Sequence, residues 1–139
     1  MGERPLVRAE AAALVAVGGF AGANLRFLAG QAVAGLGGTL AVNALGSFLL
    51  GFLVYEAELA GVLSRRARLV LATGFLSSFT TYSTFVLDAA SAAPAVAVAY
   101  VAASYGLGFA GVLAGRAVAA RVQPTGGGGS AAAAEGGDR

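Results

Sequence analysis

From Ala11 to Tyr55 the only charged side chain is Arg26, and the run is about twice the ~20 residues with which a helix crosses a bilayer. It must therefore turn back once. The run of Gly35, Leu36, Gly37 and Gly38 is the obvious break, which predicts a first helix from about Leu6 to Ala34 and a second from about Thr39 to Leu59. Glu56, Glu58, Arg65, Arg66 and Arg68 predict a polar loop, after which Leu69 to Leu87 is uncharged and long enough for a third span. Asp88, Ser91 and Pro94 mark a turn, and Pro94 suits the first turn of a fourth helix running to about Val122, where a missing N–H costs nothing. The expected fold is an all-α membrane protein of four transmembrane helices spanning residues 1–122. The segment 123–139, rich in glycine and alanine and without apolar periodicity, is expected to be a disordered tail.

Composition agrees with a membrane chain: 58% of residues are hydrophobic and 12% charged, against ~25% charged in soluble domains. The 22 glycines suit helices that associate in lipid, where close backbone packing replaces the hydrophobic drive. Cysteine and histidine are absent, which removes disulfides, thiolate chemistry, zinc sites and the usual general base near neutral pH. An enzyme is not expected. All positive charge comes from arginine, placed mostly outside the apolar stretches, so it signals topology and not a nucleic-acid surface.

Polar side chains inside the spans are costly there, and each is either a packing contact or a functional candidate. On the second helix Thr39, Asn43, Ser47 and Gly51 recur at every fourth position and so share one face. Asn43 is its strongest member, open to reading as an interhelical hydrogen bond or as a ligand group. Gly18, Gly22, Arg26 and Gly30 share a face of the first helix. Arg26 there either snorkels toward the interface or supplies a fixed positive charge for an anion. The third span carries Ser77, Ser78, Thr80, Thr81, Ser83 and Thr84, six hydroxyls in eight residues. Such hydroxyls can bond back to carbonyls one turn earlier, but so dense a cluster predicts a helix broken near its middle, with freed carbonyls facing protein or a bound cation. Tyr100, Ser104 and Gly108 form a fourth-position stripe on the last helix, and Gly111 and Gly115 suit close packing.

Three segments, GGFAGANLRF at Gly18 to Phe27, GTLAVNALGSF at Gly38 to Phe48 and GFLSSFTTYSTF at Gly74 to Phe85, together resemble the CrcB, or Fluc, family of fluoride channels. The resemblance covers about Val17 to Gly115. It implies a four-helix subunit paired with an antiparallel mate, fluoride pathways along the dimer interface, and a structural sodium ion at the dimer centre that is not transported. It implies further that Asn43 lines the pore, that Tyr82 and Phe85 are the family's aromatic pair, and that Tyr100 and Ser104 are its polar track, whose third serine is here Gly108. Thr81 and Ser83 fall among the pore hydroxyls, and Arg26 on the arginine of the first helix. The sodium would rest on backbone carbonyls at Ser77 and Thr80. Two departures stand out: Ser77 and Ser78 replace a glycine pair, and Tyr82 replaces a phenylalanine. The function implied is passive export of fluoride from the cytoplasm across the cell membrane, reducing fluoride toxicity.

Rival readings are a proton-coupled four-helix exporter of the small multidrug type, which would need a carboxylate buried in the membrane, and a non-conducting partner subunit of a heterodimeric channel. With four spans, Arg4, Arg8, Arg65, Arg66, Arg68, Arg116 and Arg121 fall on one side, whereas the Gly35 hairpin and the Asp88 turn carry no arginine. The positive-inside rule then places both termini in the cytoplasm. So strong a bias fits one fixed orientation, and hence a heterodimer with an oppositely oriented homologue, better than an antiparallel homodimer.

Overall fold

The computed structural model describes residues 3–59 and 61–122, and the expected tail at 123–139 lies outside them. Four segments are long and apolar enough to cross a membrane: Pro5–Ala32, Leu36–Glu58, Arg65–Ser91 and Pro94–Arg121. No strand occurs among the described residues. At most 28% of the most apolar 18-residue window of any span is buried within the chain. Most of each helix surface therefore faces outward, as expected where lipid or a second chain supplies the remaining contacts.

Helix α1 (Glu3–Ala32) turns into α2 (Leu36–Leu59) through Gly35, whose φ of 75° lies in the left-handed region open to glycine. The second helix starts three residues earlier than Thr39, because only Gly35 is needed for the turn. Gly37 and Gly38 are already helical, and the Gly38 N–H bonds the Gly35 carbonyl at 3.1 Å. At the far end of α2, Glu56 is buried, not a loop charge as its sequence position suggested. Its Oε1 accepts the Leu63 N–H at 2.8 Å, and the Gly61 N–H bonds its main-chain carbonyl, also at 2.8 Å. One side chain thus ties the loop back onto the helix that precedes it.

The third span is composite. It begins as α3 (Arg65–Arg68), capped by Ser64, widens into π-helical turns over Leu69–Leu76 and closes with α4 (Ser77–Phe79). Thr80 and Thr81 are extended, with ψ of 158° and 121°, before α5 (Tyr82–Ser91) resumes. The break expected near mid-span is present, but two residues beyond the double serine. Ser77 and Ser78 are themselves helical, Ser77 at φ −63° and ψ −28°, so replacing glycine there imposes no strain. Helix α6 (Pro94–Arg121) completes the chain with Pro94 in its first turn.

Two packing seams hold these elements together, α2 against α6 and α1 against the first half of the third span. Both are lined by glycine where backbones touch. Gly18 and Gly22 of α1 abut the main chain of Val70 and Phe75, Gly74 abuts Val15 and Gly18, and Gly111 and Gly115 of α6 abut the main chain of α2 from Ala44 to Phe52. Gly30, on the same stripe as Gly18 and Gly22, faces open space.

Candidate functional site

The break in the third span is held from outside. Asn43, half-buried on α2, donates Nδ2–H to the Thr81 carbonyl at 2.9 Å and accepts the Thr81 N–H on Oδ1, also at 2.9 Å. An amide side chain thus engages both main-chain polar groups of one residue. The Thr81 hydroxyl accepts the Thr84 N–H at 3.2 Å and caps α5, the N-cap role for which threonine is suited. The Arg26 guanidinium reaches the Thr80 carbonyl from α1, Nη1 donating at 3.4 Å. Arg26 therefore points at the break and does not snorkel to the interface.

Beside the break runs a groove of about 590 Å³ between α2, the third span and α6. Asn43, Ser77, Thr80, Thr81, Tyr82, Phe85 and Ser104 all line it, so seven of the residues singled out in the sequence converge on one space. The Ser104 hydroxyl is buried without a hydrogen-bond partner, which leaves its proton available; a buried polar group in that state calls for explanation. Tyr82 stands exposed on the rim, its ring 6.0 Å from that of Phe85. Arg26 lines a second, smaller cavity of about 350 Å³, shared with Thr39, Thr81 and Thr84.

Besides Arg26, two expected members lie outside the groove. Tyr100 is buried, its ring 5.4 Å from Phe85, and its hydroxyl donates to the Asp88 carboxylate at 3.4 Å. Ser83 is exposed, with its hydroxyl 3.4 Å from that of Thr81. Three residues were missed as site members. Asp88, read only as a turn marker, accepts a hydrogen bond from Thr39 at 2.6 Å and so joins α2, α5 and α6. Ser47 lines the groove beside Gly108 and donates to the Asn43 main-chain carbonyl at 2.9 Å. Tyr105 meets Phe85 edge-on, with centroids 6.5 Å apart. The fourth-position stripe on α2 pointed to Ser47; a Tyr105 one residue off the α6 stripe gave no such signal.

The fit to a cation is testable at the break. In a continuous α-helix the Thr81 N–H would bond the Ser77 carbonyl four residues back, but Asn43 takes that N–H instead. The Ser77 carbonyl is thereby released from its helical donor, and carbonyl oxygens are the hard ligands that alkali and alkaline-earth cations accept. The Thr80 carbonyl already receives Arg26, but its second lone pair remains. The Ser77 carbonyl is thus the freer of the two oxygens for a small cation, and the Thr80 carbonyl shares its charge with Arg26.

Fold and site together define a multi-pass membrane protein whose third span is interrupted beside a groove lined by amide, hydroxyl and aromatic groups. A family model described as CrcB-like protein, Camphor Resistance (CrcB), matches residues 13–116, and the chain belongs to that family. Among its relatives, a protein of Haloarcula marismortui named Fluoride-specific ion channel FluC 1 is 55% identical over 82% of this chain and 89% of its own length. One of Halobacterium salinarum named Fluoride-specific ion channel FluC 2 is 56% identical over 82% and 90%. A more distant relative from Rhizobium etli, Fluoride-specific ion channel FluC, is 46% identical over 77% and 94%.

Proposed function

We propose that this chain is one subunit of a fluoride-specific channel, not an enzyme, and that it lets fluoride leave the cytoplasm passively. The observation that carries the reading is the convergence of Asn43, Tyr82, Phe85 and Ser104 on one groove, in a chain whose relatives bear the name fluoride-specific ion channel. Fluoride is small and strongly hydrated, so a pathway must replace its water with donors at close range. The unpartnered Ser104 hydroxyl, the second Asn43 amide proton and the Tyr82 hydroxyl are such donors. The rings of Tyr82 and Phe85 offer electropositive edges to an anion, and Arg26 adds a fixed positive charge near the break. Fluoride that enters as its neutral acid and ionises inside is expelled by an interior-negative potential, worth ~2.3 kcal/mol per 100 mV for one charge.

Most of each helix surface faces outward in the single chain, which accords with a pathway completed by an antiparallel mate. A structural sodium ion would rest on the carbonyls of Ser77 and Thr80 and supply a fixed positive charge holding two broken helices together. The exporter alternative is disfavoured because, among the described residues, no acidic one lines the groove. Glu10 is exposed and paired with Arg66, and Asp88 is engaged by Thr39. Fluoride efflux from liposomes containing the purified protein tests the reading; a protein that passes no fluoride, alone or with a co-expressed homologue, defeats it.

Replacing Phe85 with Leu keeps the bulk but removes the ring edge, and efflux is expected to fall about tenfold, the equivalent of ~1.4 kcal/mol. Normal efflux in both Phe85→Leu and Tyr82→Leu would reduce the pair to packing. For topology, the arginine bias supports cytoplasmic termini and a heterodimer with an oppositely oriented homologue; the numbered names FluC 1 and FluC 2 among relatives accord with paired chains. Reporter fusions at both ends should give signal only from the cytoplasmic side. Comparable signal from both sides, with fluoride flux from this chain alone, would indicate a dual-topology homodimer.

A further inference from the structure

We infer that Asn43 is the positioning residue that keeps the third span broken, and that by doing so it exposes the Ser77 carbonyl to the central cation; the inference rests on the channel reading above. Neither glycine nor proline causes the break, and the local Thr81 cap takes the Thr84 N–H and leaves the Thr81 N–H itself to find an acceptor. From Phe75 to Ser91 there is neither glycine nor proline, and among the described residues only glycines have positive φ. The π-helical turns end at Leu76 and the ladder still runs on to Thr80, so the remaining cause of interruption is a side chain entering the hydrogen-bond ladder. Asn43 is that side chain.

The hydrogen bonds fix where the ladder stops. The Thr80 N–H still bonds the Leu76 carbonyl at 3.1 Å, and the Thr80 hydroxyl bonds it as well at 3.0 Å, so the helical pattern persists to Thr80. At the next residue it fails. The Thr81 N–H goes to Asn43 Oδ1 and the Thr81 carbonyl receives Asn43 Nδ2–H. Both polar groups of one peptide residue are thus withdrawn from the helix by one amide, which is long enough to reach and has a donor and an acceptor side by side. Ser47 only bonds back to the Asn43 main-chain carbonyl within α2 and leaves the side-chain amide to Thr81.

Removing the amide would leave a buried N–H without an acceptor, a state that folded proteins avoid. The nearest acceptor along the chain is the Ser77 carbonyl, one helical turn back. Closing that bond continues the helix and occupies the oxygen that the cation would use. One residue therefore serves two ends: it lines the groove, and its bond to Thr81 keeps a carbonyl free for the cation.

The test measures sodium binding separately from transport. The purified protein is titrated with sodium and its melting temperature followed, while fluoride efflux is read from liposomes in parallel. Asn43→Leu lacks both polar atoms and Asn43→Ser falls short of Thr81; either is expected to raise the sodium midpoint at least tenfold. Ser104→Ala, which lines the same groove but touches no part of the break, should lower efflux and keep the wild-type midpoint. A wild-type sodium midpoint in the Leu or Ser variant overturns the inference, and either variant suffices if the other does not insert. A wild-type protein indifferent to sodium overturns the inference and the cation reading together. Sodium-responsive wild-type protein that passes no fluoride defeats only the channel reading.

Discussion

Asn43→Asp protein is expected to insert and fold, yet to pass fluoride at least ~1,000-fold more slowly than the wild type. The carboxylate can still accept the Thr81 N–H, so the acceptor half of the contact survives. What changes is charge, together with the donor half of the contact, since a carboxylate cannot give a proton to the Thr81 carbonyl. A carboxylate about 4 Å from an anion, in surroundings of effective dielectric near 20, repels it by ~4 kcal/mol, and that corresponds to about three powers of ten in occupancy. The substitution also removes the amide donor that would replace water around fluoride. Efflux is to be compared at equal amounts of inserted protein, because only loss of rate bears on the groove. Wild-type efflux from Asn43→Asp would remove Asn43 from the pathway.

Gly18→Val is expected to abolish the folded protein. A Cβ at Gly18 would sit inside the carbonyl of Val70 and within 2.8 Å of the Phe75 nitrogen. Both are backbone atoms of the third span and have no rotamer with which to yield. Overpacking in a dense core costs ~1–3 kcal/mol and more where nothing can move. Gly22→Val meets the Phe75 carbonyl in the same way. Gly30→Val supplies the internal control: it lies on the same stripe, a Cβ there meets nothing within 4 Å, and valine is a better helix former than glycine. The first two variants should elute as aggregate on size exclusion and the third as a single species. Three equally stable variants would show that α1 is not seated on the third span.

The four spans were legible because length and hydropathy alone decide whether a segment can cross a bilayer. Their ends were less so. Leu36 begins α2 although glycines follow it, because a glycine inside a helix looks the same in sequence as one in a turn. Asn43, Ser77, Thr80, Thr81, Tyr82, Phe85 and Ser104 were readable as polar residues where polarity is costly, and the groove brings them together. The partner of each was not readable. Nothing in the spacing tells that Asn43 spends its amide on Thr81, since that contact joins residues 38 apart. The hydroxyl cluster foretold a break in the third span, but glycine logic centred attention on Ser77 and Ser78, whereas the cause lies on another helix. Asp88 and Tyr100 illustrate the same limit: their contact is set by how α5 docks on α6, not by either residue's neighbours.

Two extended residues in the third span also have an electrostatic consequence. They divide one long array of aligned peptide dipoles into two shorter ones that meet head to tail at Thr80 and Thr81. The segment ending at Phe79 presents its carbonyl end there, with a partial charge of about −0.5, and α5 presents its N–H end, with about +0.5. In an unbroken helix these opposite ends would cancel inside the ladder. Separated by two residues, they give a single point in the membrane one flank that favours cations and another that favours anions, and no ionised side chain is needed to create either.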